Sequence, residues 1–164
     1  MQLKGHIVDA LTDILIAHGP HAQRYSGMIL DKCLEIGKLV PPQDIDELEM
    51  EDFNEIRISI IDTCRTCMAE LAASNQINNF QNYLPQIHSF FDAVSTDLNR
   101  VNVHVLKSCI KLLTEAADYC DQTTRRSLQT QSVKKILSTA GNMTNEQELM
   151  NQAKIAFERI AATN

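Results

Sequence analysis

Apolar residues recur every three or four positions along nearly the whole chain, the spacing that lines one face of an α-helix. Seven such stretches follow one another. The first covers about residues 3–18, with Ile7, Leu11, Ile14 and Leu15 on one face. It stops at Gly19-Pro20, because glycine caps helices and proline cannot continue them. The second, about 21–39, carries Tyr25, Met28, Ile29, Cys33 and Ile36, and Pro41-Pro42 breaks it. The third, about 50–73, has a stripe of Phe53, Ile56, Ile60, Cys64, Cys67 and Leu71. The fourth, about 80–94, turns Leu84, Ile87, Phe90 and Phe91 inward and accepts Pro85 in its first turn, where a missing N–H costs little. The fifth, about 101–119, is packed with Val105, Ile110, Leu112 and Leu113. The sixth spans about 124–138 and closes at Gly141. The seventh, about 144–162, opens with Thr144 and Gln147 at the spacing of a capping box. It continues through Leu149, Ala153, Ala156, Phe157 and Ile160.

Long helices joined by short polar connections, such as 74–79 and 97–99, imply antiparallel neighbours. Carboxylates also recur. Leu11-Thr12-Asp13 matches Leu113-Thr114-Glu115, and Asp62 takes a similar place in the helix between. A hairpin period of about 50 residues is close to the ~40–47 of HEAT arrays. The pattern therefore predicts an all-α fold, an α-α superhelix of the HEAT/armadillo-like solenoid type, with about seven antiparallel helices in a single array over residues 1–164.

Composition narrows the function. Only 5 Gly and 4 Pro occur in 164 residues, which favours long helices over many short strands. No apolar run approaches the ~18 residues that a membrane-spanning helix needs. The N-terminus lacks the basic-then-apolar pattern of a signal peptide. The five cysteines, Cys33, Cys64, Cys67, Cys109 and Cys120, all fall within apolar helical patterns, as expected for packed thiols in a reducing compartment.

The net charge of −6 is uneven: residues 1–98 hold 15 acids and 6 bases, whereas residues 99–164 hold 6 acids and 9 bases. An acidic first half argues against nucleic acid as a partner and for a basic protein. Asp13, Asp62 and Glu115, with Asp9, Glu55 and Asp118 adding to the field, are the candidate partner-binding residues. Their alternative role is a ladder in which each acid bonds the backbone or a base on the next repeat. Between Asp44 and Glu55, seven of twelve residues are acidic. That run reads as a solvated lead-in to the third helix, its acids favoured by the positive helix N-terminus.

Candidate chemistry is sparse. Cys64 and Cys67 form a CxxC in mid-helix, where core packing is the expected role, since zinc would need a second pair at suitable spacing. The five histidines show no metal spacing, and no phosphate-binding glycine loop occurs. Arg125-Arg126 and Lys134-Lys135 read as a solvated face of the sixth helix. The expectation is a binding protein with no catalytic residues, no metal and no cofactor.

Four stretches resemble the karyopherin-beta family of nuclear transport receptors, in particular the C-terminal end of importin subunit beta. HIVDALTDILIAHG at 6–19 and QRYSGMIL at 23–30 are similar to one of its helical hairpins. DFNEIRISIID at 52–62, behind an acidic linker, resembles its Asn-Glu-Leu-Arg stretch, and 101–120 and the last helix follow in order. The resemblance implies a piece of a longer receptor that acts in nuclear protein import, moving between cytoplasm and nucleus. It implies that the second helix of each repeat lines an acidic inner wall, which takes the basic importin-beta-binding segment of importin alpha, or a basic cargo. It places binding of Ran-GTP and Phe-Gly nucleoporins mostly in other repeats. The family often carries a Trp in the last helix; the aligned residue here is Gln152. Another karyopherin-beta member, a non-transport HEAT scaffold and a small Cys–His enzyme are the alternatives.

Overall fold

The structure is a computed structural model, and it describes residues 6–8, 10–11, 13–14 and 23–162. Among the described residues there is no β-strand. The helices are α1 (Gln23–Gly37), α2 (Glu47–Ala73), α3 (Leu84–Thr96), α4 (Val103–Tyr119), α5 (Gln122–Ser127), α6 (Gln131–Gly141) and α7 (Gln147–Ala161), with a 3-10 segment, Ile77–Tyr83, before α3. Residues 6–8, 10–11 and 13–14 are also helical. The Gly19-Pro20 break and Leu15 lie outside the described residues.

The helices form two layers. In the first, α2 packs on α4 and α4 on α7; in the second, α1 packs on α3 and α3 on α6. The pairs α1–α2 and α6–α7 join the layers. The core between them is one cluster of aliphatic, aromatic and thiol side chains, including Leu30, Ile60, Met68, Phe90, Leu106, Ile110, Ile136 and Leu149.

Local chemistry sets the helix ends. Asp46 caps α2 by accepting from the Glu49 N–H at 2.8 Å, and Glu47 and Glu49 lie in the first turn. The acidic run is thus largely the first turns of α2, which starts at Glu47 rather than near 50, its carboxylates next to the positive end of the helix. At the other end, Asn75 adopts φ 56°, and the N–H groups of Asn75 and Gln76 donate to the carbonyls of Ala72 and Leu71. This is a Schellman cap, with Asn in the left-handed position that glycine usually takes.

Three expectations are corrected. The stretch 124–138 is not one helix. Asp121 caps α5 by accepting from Thr124 N–H, and Thr130 caps α6 by accepting from Val133 N–H, so the chain turns at 128–130. Arg125-Arg126 and Lys134-Lys135 consequently sit on different helices, and Lys135 donates to the Ser95 carbonyl at 2.9 Å. Thr144 is not a cap: α7 begins at Gln147 behind Glu146, whose carboxylate pairs with Lys107. The apolar faces also rotate slightly. Ile7, Ile14, Tyr25, Met28 and Phe157 are exposed; Ile29 and Cys33 are buried as expected, and Val8, Leu30 and Leu34 are buried as well. These helices carry more apolar residues than one core face can hold, so neighbours one position along take the inward place.

Candidate functional site

α2, α4 and α7 lie side by side, and their side chains opposite the core make one surface. Its charged groups come from helical spacing. Positions 62 and 65 of α2, and positions 111, 115 and 118 of α4, are three or four apart and share a helix side. The α2–α4 seam brings Arg65 to Glu115. Arg65 Nε donates to Glu115 Oε2 at 3.0 Å and Arg65 Nη2 donates to Oε1 at 2.5 Å, a two-pronged pair. Arg65 Nη1 also reaches Asp62 Oδ1 at 2.9 Å. The Glu115 carboxylate, more than Asp62, holds the Arg65 guanidinium above its ordinary pKa, against the opposing effect of burial.

The α4–α7 seam carries a second set. Arg159 Nη1 reaches both carboxylate oxygens of Asp118, at 2.7 and 2.6 Å, and Lys107 Nζ lies 2.9 Å from Glu146. Between these pairs is a groove of about 280 Å³ lined by Ile110, Lys111, Thr114, Glu115, Gln152 and Ile155, with Arg159 at its edge. Gln152, at the position aligned with the family's Trp, donates to Glu148 at 2.9 Å.

Of the six acids singled out from the sequence, Asp62, Glu115 and Asp118 come together on this surface, each engaged by an arginine. Glu55 is exposed on α2, and Asp13 is exposed on the N-terminal helical residues; both lie outside that ion-pair network. Asp9 falls outside the described residues. The periodic acids were legible in the sequence, but their partners were not. Arg65 lies 50 residues from Glu115, and Arg159 lies 41 from Asp118.

A second charged cluster went unread in the sequence. Arg57 and Asp97 are almost wholly buried, with side-chain exposures of 3% and 5%, and Arg57 Nη2 donates to Asp97 Oδ2 at 3.0 Å. Asp97 Oδ1 accepts from Arg100 Nε at 2.6 Å, and Arg100 also donates to the Pro41 and Pro42 carbonyls. Asn54 donates to the Arg100 carbonyl at 3.2 Å. Burial pushes Arg57 below its ordinary pKa, and Asp97 pulls it back. This network ties α2, the α3–α4 turn and the linker before α2 together. Its sequence signal is Arg57 standing beside Phe53, Ile56 and Ile60 in an apolar stripe.

All five thiols are buried. Burial pushes Cys33 and Cys120 up to about 11 and Cys67 and Cys109 up to about 12, and it raises Cys64 well above the ordinary range. Thiols in that state stay protonated at neutral pH and are poor nucleophiles and poor metal ligands. Among the described residues, no group of three or more His, Cys, Asp or Glu is placed to hold a metal ion. No helix of the described residues is long and apolar enough to cross a membrane.

Comparison with known proteins adds one finding. The family model described as importin subunit beta-1-like, TPR repeats, matches residues 1–140, most of the chain. No curated protein and no solved structure matches. The two-layer helical array and the family match agree with each other, and the chain belongs to the importin subunit beta-1-like repeat family, a transport-receptor-like helical scaffold.

Proposed function

We propose that the chain is a nuclear import receptor scaffold whose α2–α4–α7 surface takes a basic helical segment, that of an importin alpha adaptor or of a basic cargo. One observation carries the reading. Asp62, Glu115 and Asp118 come from two neighbouring helices and stand on one continuous surface, half-exposed. Carboxylates spaced along neighbouring helices match Lys and Arg spaced along a ligand helix, and such complementarity sets on-rate and register. Glu55 extends the same field along α2. The chain acts by binding rather than by catalysis, and the protonated, buried thiols support that part of the reading.

Calorimetry with a basic importin-beta-binding-type peptide tests it, at two salt concentrations. Binding weakens as salt rises from 0.05 to 0.2 M, because exposed charges are screened over ~10 Å at 0.1 M. A triple variant, Asp62→Asn, Glu115→Gln and Asp118→Asn, loses most of the affinity. A peptide that binds the triple variant as well as the parent chain overturns the reading.

A further inference from the structure

The acids of the proposed binding surface are not bare. Glu115 and Asp62 share Arg65, and Asp118 holds Arg159. A partner's cation that takes these carboxylates competes with a guanidinium that is already there. We propose that Arg65 and Arg159 stand in for the partner's own arginines, so that binding at this surface exchanges one guanidinium for another and selects arginine over lysine. The inference rests on the function proposed above and names the chemistry of the ligand.

Three features of the geometry argue for exchange. The first is the shape of the pair. Nε and Nη2 of Arg65 meet the two oxygens of Glu115 side by side, at 3.0 and 2.5 Å. That is a planar fork on a planar carboxylate, a match that a lysine ammonium, a single point charge, does not reproduce. Glu115 is thus already oriented for a guanidinium.

The second is exposure. Arg65 and Glu115 keep 28% and 30% of their side-chain surface open, and Arg159 and Asp118 keep 46% and 52%. Pairs this accessible contribute only about 0–1 kcal/mol, so an incoming group opens them at little cost. The Arg57–Asp97 pair is the opposite case: buried, and cross-linked to three backbone segments, it is out of reach of any partner.

The third is the neighbouring groove. Its volume of about 280 Å³, floored by Ile110 and lined by Thr114 and Ile155, lies directly beside Glu115. Ile155 is exposed there. An arginine arriving at Glu115 can lay its three-carbon stem along this apolar strip while its head meets the carboxylate, as long cationic side chains commonly do. Arg159 borders the same groove, so its release from Asp118 would open a second carboxylate for the next cation of the ligand.

The test uses two peptides of equal length and charge, one with arginine and one with lysine at every basic position. Each is titrated against the parent chain, Arg65→Gln and Arg65→Lys. Freed of its internal competitor, Arg65→Gln binds the arginine peptide about fivefold more tightly than the parent, equivalent to ~1 kcal/mol. The parent prefers the arginine peptide over the lysine one. Arg65→Lys keeps the charge but loses the fork, and it gains two- to threefold. Circular dichroism and thermal melting verify the fold of each variant. Should Arg65→Gln fail to fold, Arg65→Lys decides alone, and unchanged or weaker binding by it overturns the proposal. Unchanged or weaker binding by a folded Arg65→Gln does the same, and equal affinity of the parent for the two peptides removes the arginine selectivity. If the parent chain binds neither peptide, the proposed function itself falls and this inference falls with it. If the parent binds with salt dependence but Arg65→Gln gains nothing, only the exchange is lost.

Discussion

The two layers hold their seams by different means. Across α2–α4–α7 the side-chain bridges between helices include three ion pairs: Arg65–Glu115, Arg159–Asp118 and Lys107–Glu146. Across α1–α3–α6, among the described residues, they include hydrogen bonds in which one side alone is charged: Gln86 to Asp31, Ser132 to Asp92 and Lys135 to the Ser95 carbonyl. The second layer also packs side chains hard against a helix backbone. A Cβ on Gly37 of α1 would sit 2.6 Å from Phe90 Cδ2 of α3 and 3.2 Å from Ile60 Cδ1. The difference teaches that tight packing and exchangeable charge belong to opposite sides of this protein. A surface that must admit a partner gains from bridges that are individually weak, whereas a surface that only holds the stack gains from packing that nothing in water can replace.

Four substitutions and titrations can break or sharpen this contrast. The largest effect comes from the buried network that neither layer exposes. Asp97→Ala leaves Arg57 buried without its carboxylate and removes the acceptor of Arg100 Nε. Removing one partner of a buried pair costs about 3–5 kcal/mol, so urea unfolding should show a large drop in midpoint. A drop under ~1 kcal/mol would mean that the network is solvated, and the distinction between inner and outer pairs would fail.

Next is the close-packed layer. Gly37→Ala forces Phe90 aside and costs about 1–3 kcal/mol. Gly141→Ala, with nothing within 4 Å of its new Cβ, is the control; relief of glycine's backbone entropy makes it neutral or stabilising by up to about 1 kcal/mol. Equal melting temperatures for the two variants would show that the α1–α3 seam is looser than its geometry.

The ion-paired layer should respond less. Arg65→Gln changes stability by about 0–1 kcal/mol, and the difference shrinks further in 0.5 M salt. A loss of several kcal/mol, unaffected by salt, would place this pair with Arg57–Asp97 and contradict its role as an exchangeable contact.

The smallest effect is a pH dependence in the α1–α3–α6 layer. Burial holds His88 of α3 below its ordinary pKa of 6.5, with Asp92 and the Ser127 carbonyl pulling the other way. The unfolded chain therefore takes up a proton before the folded one does. The His88 contribution is fully present above 6.5 and is lost as pH falls through that value toward the lower folded pKa. His88→Gln flattens that part of the stability curve; an unchanged curve would assign the dependence to other groups.

Much of the fold was legible because helical periodicity reports burial directly. The stripes of the third, fourth and fifth stretches, from Phe53 to Leu71, Leu84 to Phe91 and Val105 to Leu113, are all in the core. Short-range cap signals were harder to weigh. Asp121 and Thr130 both stand three residues before the N–H they accept from, yet either could have been an ordinary polar residue inside one long helix. The candidate site was half legible. The recurrence of carboxylates at 62 and 115 was visible, and so was their placement on alternate helices. That both acids would meet the same arginine was not, because Arg65 is one turn from Asp62 in sequence but reaches Glu115 only after α4 docks.

By itself, the sequence determined that this protein is a run of amphipathic helices with acids at a repeating place, because helix spacing and apolar periodicity are local properties written in neighbouring residues. Tertiary structure alone decided which charges meet. Arg57 became buried and Arg65 stayed half in water although they lie eight residues apart on one helix, since the first faces the α3–α4 turn and the second faces the open seam with α4. Solvent access sets the strength of an ion pair, and access is a property of the packed layers that no local pattern contains.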